Sequence, residues 1–321
     1  MRRIFCASSG KGSVMSKFVK AVKLLGNPSK LVDRLNECAV PWLFSDRTAL
    51  KAAFRHRIGK KLNFKAPVTF NEKLQWLKLY DRRPIYTTMV DKFAAKKYVA
   101  DLIGEEYVVS ALGGPWKSFD EIDFDSLPDK FVLKTNHDCG GVVICRDKAT
   151  FDREKARAFL SKHLKRNYYW SCREWPYKNV KPCIFAEEFL EDGSGDAIYD
   201  YKFFCFGGEP KIMYLSRDRS EDPRTDFFDM DYNHLDMRMK DPHADVLPEK
   251  PERFEEMKRL AAVLSQGIPH VRVDFYMIGD RLLVGEMTFF HCGGFVSVKP
   301  ESWNRKMGDW ITLPTPRGEE V

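Results

Sequence analysis

Two acidic residues near the end of the chain lie in segments that the sequence predicts to be neighbouring strands. Asp274 and Glu286 each belong to a largely apolar segment, and Gly279-Asp280 between the segments is typical of a β-hairpin turn. The two carboxylates are expected to face each other across the hairpin, where like charges repel and require a cation. Because Mg²⁺ takes carboxylate oxygens and shares them with phosphate, this pair with Arg272 nearby predicts a Mg²⁺–phosphate site. The alternative is a surface hairpin with solvated acids.

A second candidate group begins with a lysine at the end of an apolar segment. Lys134 ends the segment 131–134, and Gly140-Gly141 follows it within the polar turn 135–141. A buried ammonium needs an anion, and a glycine turn can direct several backbone N–H groups at a phosphate. The spacing matches neither GxxxxGK[ST] nor GxGxxG, so an exposed lysine on an edge strand is the alternative.

Acids also lie in two further predicted strands. Glu187 and Glu188 belong to the segment 183–190, and Asp200 lies near the start of the segment 199–206. Carboxylates at such positions can accept hydrogen bonds from an adenine amino group or a ribose hydroxyl. They can also protect a sheet edge by charge, which is the structural alternative.

The elements that must position these residues fall into separate blocks. Thr69-Phe70-Asn71-Glu72 has the pattern of a capping box and predicts a helix through about residue 80. Further helices are expected at 88–102, 152–167 and 251–266. Besides the hairpin, strands are expected at 107–109, 131–134, 142–145, 183–190, 199–206 and 211–215, and loops at 113–116 and 220–250. Helices and hairpins in separate blocks predict an α+β fold.

Length and composition indicate a soluble globular protein. The chain has 321 residues, of which 44% are hydrophobic and 31% are charged, and no run approaches the ~20 apolar residues of a membrane span. The eight cysteines are scattered without a CxxC pair, and the apolar run at the start is too short for a signal peptide. We therefore expect reduced thiols and a cytoplasmic location. His137 with Cys139, and His291 with Cys292, lack the spacing of a structural zinc site.

Positive charge is concentrated at the start of the chain. Residues 1–61 contain 14 Lys and Arg against three acids, whereas the whole chain has a net charge of +7. Such an arm suits an anionic lipid surface or an acidic polysaccharide. Nucleic acid is not expected, because RNA-binding signatures are missing. The alternative is a pair of helices that packs on the rest of the chain.

The order of these features resembles the ATP-grasp superfamily, and more closely its TupA-like branch, which is associated with bacterial polysaccharide and teichuronopeptide synthesis. The likeness covers about residues 70–313 and is strongest at Phe70-Asn71-Glu72-Lys73-Leu74-Gln75-Trp76, Asp91-Lys92, Phe131-Val132-Leu133-Lys134, Asp200-Tyr201-Lys202-Phe203 and Val271-Arg272-Val273-Asp274. It implies two α+β subdomains that grip ATP.

The resemblance also implies a domain organisation. Residues 1–66 are expected to form a basic, mainly helical extension, and residues 67–321 the ATP-grasp catalytic domain. Within that domain, the ATP-binding subdomain is expected at about 129–190 and the metal and phosphate subdomain at about 191–313.

Each candidate residue acquires a role from the resemblance. Lys92 and Lys134 are expected to hold the ATP phosphates, Glu187 the adenine amino group and Asp200 the ribose. The full set of expected ATP-binding residues is Lys92, Lys134, Cys139, Gly140, Gly141, Glu187, Glu188, Phe189, Leu190 and Asp200. The expected Mg²⁺ ligands are Asp274, Glu286 and Thr288, and the expected catalytic cations are Arg272 and Lys202. Thr288 departs from the superfamily, which usually has Asn at that position.

The implied reaction is the ATP-dependent joining of a carboxylate to an amine. The carboxylate attacks the γ-phosphate of ATP, and the amine then displaces phosphate from the acylphosphate. The implied partners are a polysaccharide or lipid-linked glycan intermediate and an amino acid or amino sugar. Three alternatives are a glycosyltransferase that uses a nucleotide-sugar, an ATP-grasp kinase and a non-catalytic binding module.

Overall fold

The computed structural model describes residues 27–38, 41–191, 199–217 and 223–316. The helices in these ranges are α1 (Pro28–Cys38), α2 (Asp46–Arg57), α3 (Phe70–Tyr80), α4 (Ile85–Val90), α5 (Ala94–Ile103), α6 (Arg153–Leu164), α7 (Tyr169–Cys172), α8 (Phe254–Leu264) and α9 (Glu301–Asp309). The strands are β1 (Ala111–Trp116), β2 (Phe131–Thr135), β3 (Val142–Cys145), β4 (Ile184–Glu188), β5 (Asp200–Phe206), β6 (Glu209–Arg217), β7 (Arg224–Phe228), β8 (Val271–Ile278) and β9 (Arg281–Thr288).

The strands form two antiparallel sheets. Sheet one has the order β1-β4-β2-β3, and sheet two has the order β7-β6-β5-β8-β9. One face of sheet one packs on α6, where Leu160 shares a buried cluster with Phe131. One face of sheet two packs on α8, where the rings of Phe203 and Phe254 lie 5.7 Å apart. Because side chains alternate along a strand, the opposite face of each sheet is left for polar residues. The predicted α+β fold is confirmed.

The described part of the basic arm packs on the rest of the chain. Leu50 and Phe54 of α2 belong to the main buried cluster. The buried Asp33 of α1 accepts hydrogen bonds at 2.8 and 2.9 Å from Arg57 of α2, which joins the two helices. Helices α1 and α2 therefore pack as the structural alternative expects. Residues 1–26 lie outside the described residues, and no helix in the described ranges has the length and apolar character of a membrane span.

Several predicted elements have different bounds or a different type. The helix expected at 88–102 is broken into α4 and α5, because the Asp91 side chain accepts hydrogen bonds from the backbone of Phe93 at 3.0 Å and of Ala94 at 3.1 Å and so begins a new helix. The strand expected at 107–109 is wrong, since residues 105–107 form a 3-10 turn. The expected loop 113–116 is instead part of β1, and β7 lies within the expected loop 220–250. Strand β1 also precedes the predicted subdomain range 129–190, yet it completes sheet one.

Candidate active site

A ladder of charged side chains crosses the polar face of sheet two. Lys202 of β5 lies opposite Asp274 of β8, and Asp274 lies opposite Glu286 of β9. The prediction that the two acids face each other is therefore confirmed. Arg272 and Thr288 form the neighbouring cross-strand pair on the same face. Three strands thus bring their charged residues to one place.

Glu286 reaches this face because β9 contains a β-bulge. The register shifts by one residue immediately after the pair of Asp274 and Glu286, and Gly285 is the extra residue. In a regular ladder Glu286 would pair with Val273 and point to the opposite face of the sheet. A Cβ atom at Gly285 would lie 2.7 Å from a ring carbon of Tyr276. Glycine is required here because the bulged strand passes close to that ring.

Lys202, Arg272, Asp274, Glu286 and Thr288 form one group, which we call the sheet-two cluster. Arg272 is its hub. Its Nε and Nη2 atoms donate to the two carboxylate oxygens of Asp274, each at 2.6 Å. Nη2 also donates to Glu286 Oε1 at 3.0 Å and to Thr288 Oγ1 at 3.1 Å. Nη1 donates to Nδ1 of His291 at 2.6 Å. Burial lowers the pKa of His291 well below its usual value, so the neutral imidazole can accept this hydrogen bond.

Lys202 supplies a second buried cation. Its ammonium pairs with Asp274 at 2.7 Å and also with Asp200. Burial lowers the pKa of Lys202, but the two carboxylates outweigh this effect and raise it overall. Lys202 is therefore charged at neutral pH, and it links Asp200 to the sheet-two cluster.

The oxygen donors of this cluster fit a hard divalent cation. Burial alone would raise the pKa of Glu286, but nearby cations, led by Arg272 and Lys92, lower it to about 2. Glu286 is thus ionised, and none of the described residues donates a hydrogen bond to its Oε2 atom. Asp274 and Thr288 add further oxygen atoms beside it, and oxygen ligands are what Mg²⁺ selects.

A second cluster of charged residues surrounds Glu187 of β4 in sheet one. Glu187 is 5% exposed and pairs with Lys96 of α5 at 2.7 Å and with Lys134 of β2. Both lysines lower the pKa of Glu187 against the opposing effect of burial. Strand β2 lies between β4 and β3, so the alternative of an edge-strand lysine is wrong for Lys134. Two cations on one carboxylate leave a net positive charge, which suits a phosphate.

The glycine turn between β2 and β3 is anchored to the junction of α4 and α5. The backbone N–H of Lys92 donates to Asn136 O at 3.0 Å, and its ammonium donates to Asp138 O at 2.7 Å. Asp91 accepts a hydrogen bond from Asn136 Nδ2 at 2.9 Å. Gly140 has φ +88°, and a Cβ atom on Gly141 would overlap the Thr135 hydroxyl. The two glycines therefore allow the turn to close, and Cys139 is exposed at its tip.

The two clusters line one cleft. Lys92, Lys96 and Glu187 lie on one side of it, and Glu286 lies on the other. The enclosed cavity between them has a volume of only about 30 Å³, so a nucleotide can enter only when the two sides move apart. The apolar lining consists of Met89, Val90, Ala95, Val99, Val108, Val284 and Met287. A ligand with an apolar ring and an anionic tail matches this combination.

The remaining candidates for ATP binding lie in two places, beside the hairpin of β8 and β9 and in the sheet-two cluster. Glu188 pairs with Arg281 of the hairpin at 2.5 Å, and Leu190 packs against a small buried cluster that contains Leu283. The segment 188–190 therefore lies beside the tip of the hairpin. Asp200 differs from the other ATP candidates, because it pairs with Lys202 in the sheet-two cluster.

Sequence reasoning missed two residues of the site. Lys96 was not among the candidates, although the helix expected at 88–102 would have placed Lys92 and Lys96 on one face. His291 was considered only with Cys292 as a zinc pair. Its contact with Arg272 depends on the loop after β9, and no local pattern predicts that contact.

The histidines of the two His-Cys pairs that were considered as a zinc site have separate protein partners. His137 Nε2 lies 2.9 Å from Arg166 O, and His291 contacts Arg272. Among the described residues, one group of three His, Cys, Asp or Glu side chains is close enough to hold a metal ion, namely Asp226, His234 and His243. This group lies on β7 and the loop after it, at the edge of sheet two opposite β9.

Comparisons with known proteins identify a family model and several solved structures that are similar to this chain. A family model described as TupA-like ATPgrasp matches residues 72–312. D-alanine–D-alanine ligase from Bacillus anthracis complexed with ATP is 13% identical, with 63% of this chain and 54% of that chain covered and a TM-score of 0.37. The corresponding ligase from Helicobacter pylori is 13% identical, with 75% and 69% covered and a TM-score of 0.40. No curated relative matches the sequence.

A third similar structure is N5-carboxyaminoimidazole ribonucleotide synthetase from Thermus thermophilus. It is 14% identical, with 74% of this chain and 57% of that chain covered and a TM-score of 0.39. The chain spans only 54% and 57% of the two Bacillus anthracis ligase structures. These likenesses are distant, whereas the family model covers about three quarters of the chain. The protein therefore belongs to the TupA-like ATP-grasp family.

Proposed function

We propose that this protein is an ATP- and Mg²⁺-dependent ligase that joins a carboxylate to an amine and releases ADP and phosphate. The observation that carries the proposal is a cleft with two sets of charged residues. The cations Lys96 and Lys134 share Glu187, and Lys96 and Glu187 line the cleft. The oxygen donors Glu286, which also lines the cleft, and Asp274, which lies opposite it on β8, form the second set. Phosphate oxygens bind to the first set, and Mg²⁺ binds to the second. Membership of the ATP-grasp family supports the same assignment.

The lysines that pair with Glu187 would bind the ATP phosphates. Lys96 and Lys134 share Glu187, and both can form charge-assisted hydrogen bonds to phosphate oxygens. Lys92 extends this set towards the glycine turn, whose exposed tip at Cys139 and Gly140 can cover the phosphates. Glu187 can accept a hydrogen bond from the adenine amino group once a lysine turns to phosphate.

The residues of sheet two would act on the transferred phosphoryl group. Asp274, Glu286 and Thr288 would hold Mg²⁺, which neutralises phosphate charge when bound. Arg272 is held in one orientation by its four partners, so its guanidinium is preorganised beside the developing negative charge. Lys202 adds a fixed positive charge. No covalent nucleophile of the enzyme is required.

The biological setting forms a further part of the proposal. We infer a carboxylate on a polysaccharide or lipid-linked glycan and an amine from an amino acid or amino sugar, because the resemblance is to proteins of polysaccharide synthesis. The charge of residues 1–61 supports a cytoplasmic protein that can contact an anionic membrane. Helices α1 and α2 pack on the rest of the chain, so any such contact is expected from residues 1–26.

The reaction class can be tested by product analysis. The protein is incubated with ATP, Mg²⁺, hydroxylamine and a panel of glycans that contain uronic acids, and ADP and hydroxamate are quantified. Hydroxylamine traps an acylphosphate, so the proposal expects ADP and hydroxamate in equal amounts. ADP with a stable phosphoester would indicate a kinase. UDP release from a UDP-sugar would indicate a glycosyltransferase, and either result would overturn the proposal.

A further inference from the structure

A group of side chains with the chemistry of metal ligands lies away from the cleft. Asp226 of β7 is 1% exposed, and His234 and His243 follow it in the loop between β7 and α8. One potential ligand atom from each of the three side chains lies within 4.8 Å of the other two. The sequence analysis assigned no role to these residues, and the ligase proposal uses none of them.

The alternation of side chains along β7 separates this group from the sheet-two cluster. Tyr214 of β6 lies opposite Lys202, and Phe227 of β7 lies opposite Tyr214. These three side chains therefore share the polar face of sheet two, and Asp226, the neighbour of Phe227, points to the other face. A metal ion bound by Asp226 would be distinct from the Mg²⁺ proposed for the cleft.

Backbone contacts hold the two histidines beside β7. His234 forms an antiparallel bridge with Phe228. The backbone N–H of Thr225 donates to the carbonyl of Pro242, the residue before the second histidine, at 2.9 Å. The loop thus meets β7 on both sides of Asp226 along the chain, and the three side chains are brought together by the fold rather than by spacing in the sequence.

Both histidines approach the same carboxylate oxygen. His234 Nε2 lies 3.1 Å from Asp226 Oδ1, and His243 Nδ1 lies 3.4 Å from the same atom. The centres of the two imidazole rings are 4.7 Å apart. A tetrahedral zinc ion with bonds of about 2.0–2.2 Å holds its ligand atoms about 3.3–3.6 Å apart. Both separations from Asp226 are therefore close to those that a shared metal ion requires.

The donor atoms select a transition metal rather than Mg²⁺ or Ca²⁺. Imidazole nitrogen suits zinc, copper, iron and nickel, whereas Mg²⁺ and Ca²⁺ take oxygen ligands. The side chains of His234 and His243 are 27% and 25% exposed, so an ion and a water ligand can reach them from solvent. Beneath them, the carboxylate of Asp226 is oriented by the backbone N–H of Ala244, which lies 3.4 Å from both oxygens.

We propose that Asp226, His234 and His243 bind a divalent transition metal ion, best matched by Zn²⁺, with water in the remaining coordination position. The ion would join the loop after β7 to the edge of sheet two. The same loop also pairs with the segment after β9, where Arg238 and Lys299 exchange backbone hydrogen bonds at 2.7 and 2.8 Å. The bound ion would therefore stabilise the contact between these two segments. This inference does not depend on the proposed ligase function.

Zinc titration of His234→Gln and His243→Gln tests the inference. The full-length protein is treated with EDTA, dialysed and titrated with Zn²⁺ by calorimetry, with Mg²⁺ in excess so that sites made only of oxygen atoms are already occupied. Wild type is expected to bind one more Zn²⁺ per chain than either variant at the same free zinc concentration. Loss of a group that only orients a metal ligand weakens binding by about 10–100-fold, so loss of a ligand should weaken it by at least about tenfold.

His56→Gln is the matched control. His56 Nδ1 pairs with the buried Asp33 at 2.8 Å and the side chain is 27% exposed, as in His234. The other partner of Asp33 is Arg57 rather than a second histidine, so this pair lacks the ligand set of a metal site. The zinc binding of His56→Gln should equal that of wild type.

Thermal unfolding separates a metal site from a hydrogen-bonded group of the same side chains. An ion that binds the folded state raises its Tm, so Zn²⁺ should raise the Tm of wild type and of His56→Gln but not that of His234→Gln or His243→Gln. In a group held only by hydrogen bonds, such as that between His243 Nδ1 and Thr225 O at 3.2 Å, both variants would lower the Tm and Zn²⁺ would change none of the values. That result, or equal zinc binding in wild type and both variants, would overturn the inference.

Discussion

Glu286→Gln is expected to remove ATP turnover while the fold stays intact. The substitution keeps the size of the side chain but removes the ionised carboxylate that is the most open oxygen donor of the sheet-two cluster, with 33% of its side chain exposed. Loss of one preorganised electrostatic group at a transferring phosphoryl group costs about 10²–10³-fold in kcat. ADP release with the substrates found by product analysis measures the effect, and a thermal unfolding curve confirms folding.

The same hairpin provides a matched control for this substitution. Asp280→Asn also removes one carboxylate, but Asp280 is exposed in the turn between β8 and β9. ADP release should remain near wild type in Asp280→Asn. If Glu286→Gln also released ADP at the wild-type rate, the metal site would not include Glu286.

Arg272→Met is expected to cause the largest loss of stability of any substitution in the cleft. The guanidinium is buried and donates to Asp274, Glu286, Thr288 and His291. Removal of one partner from a buried ion pair leaves an uncompensated charge and costs about 3–5 kcal/mol. Urea unfolding at neutral pH measures the change in the free energy of unfolding.

Arg281→Met is the comparison for this effect. Arg281 lies on the same hairpin and pairs with Glu188, but its side chain is 48% exposed. Exposed ion pairs contribute only about 0–1 kcal/mol. Equal losses of stability in the two variants would show that Arg272 is not the hub of a buried network.

The sequence was sufficient to predict the charged residues of sheet two but not the way in which they meet. Period-two patterning and the Gly279-Asp280 turn define the hairpin, and Asp274 does lie opposite Glu286. This pairing depends on the bulge at Gly285, which simple alternation does not predict. A regular hairpin with the same turn would have placed Glu286 on the other face.

The helical parts show a similar division between local and tertiary determinants. The capping box at Thr69 correctly predicts the start of α3. The break at Asp91 was not predicted, because it depends on both an Asp side chain that caps α5 and a distant partner, Asn136. Strand β1 was missed because Gly113, Gly114 and Pro115 disfavour a strand locally, and its pairing with β4 overrides that preference.

The polar face of α3 illustrates what only the fold can explain. Asn71, Gln75 and Lys78 have helical spacing on one face and are all buried. They donate to the backbone carbonyls of residues 293, 294 and 296 in the loop after β9. From the sequence alone Asn71 and Gln75 appeared only as part of a family resemblance, and Lys78 was not singled out. In the structure they fix the loop that carries His291.

Isothermal titration of the wild-type protein with a non-hydrolysable ATP analogue tests the central claim most directly, namely that the cleft between the two sheets binds ATP with Mg²⁺. We expect one analogue bound per chain in the presence of Mg²⁺ and weaker binding when EDTA removes the metal. We also expect weaker binding in Lys134→Met, because one of the two cations that pair with Glu187 is lost. UDP-glucose should produce no binding heat. Binding of UDP-glucose in place of the ATP analogue, or binding of the analogue that neither EDTA nor Lys134→Met weakens, would contradict the account.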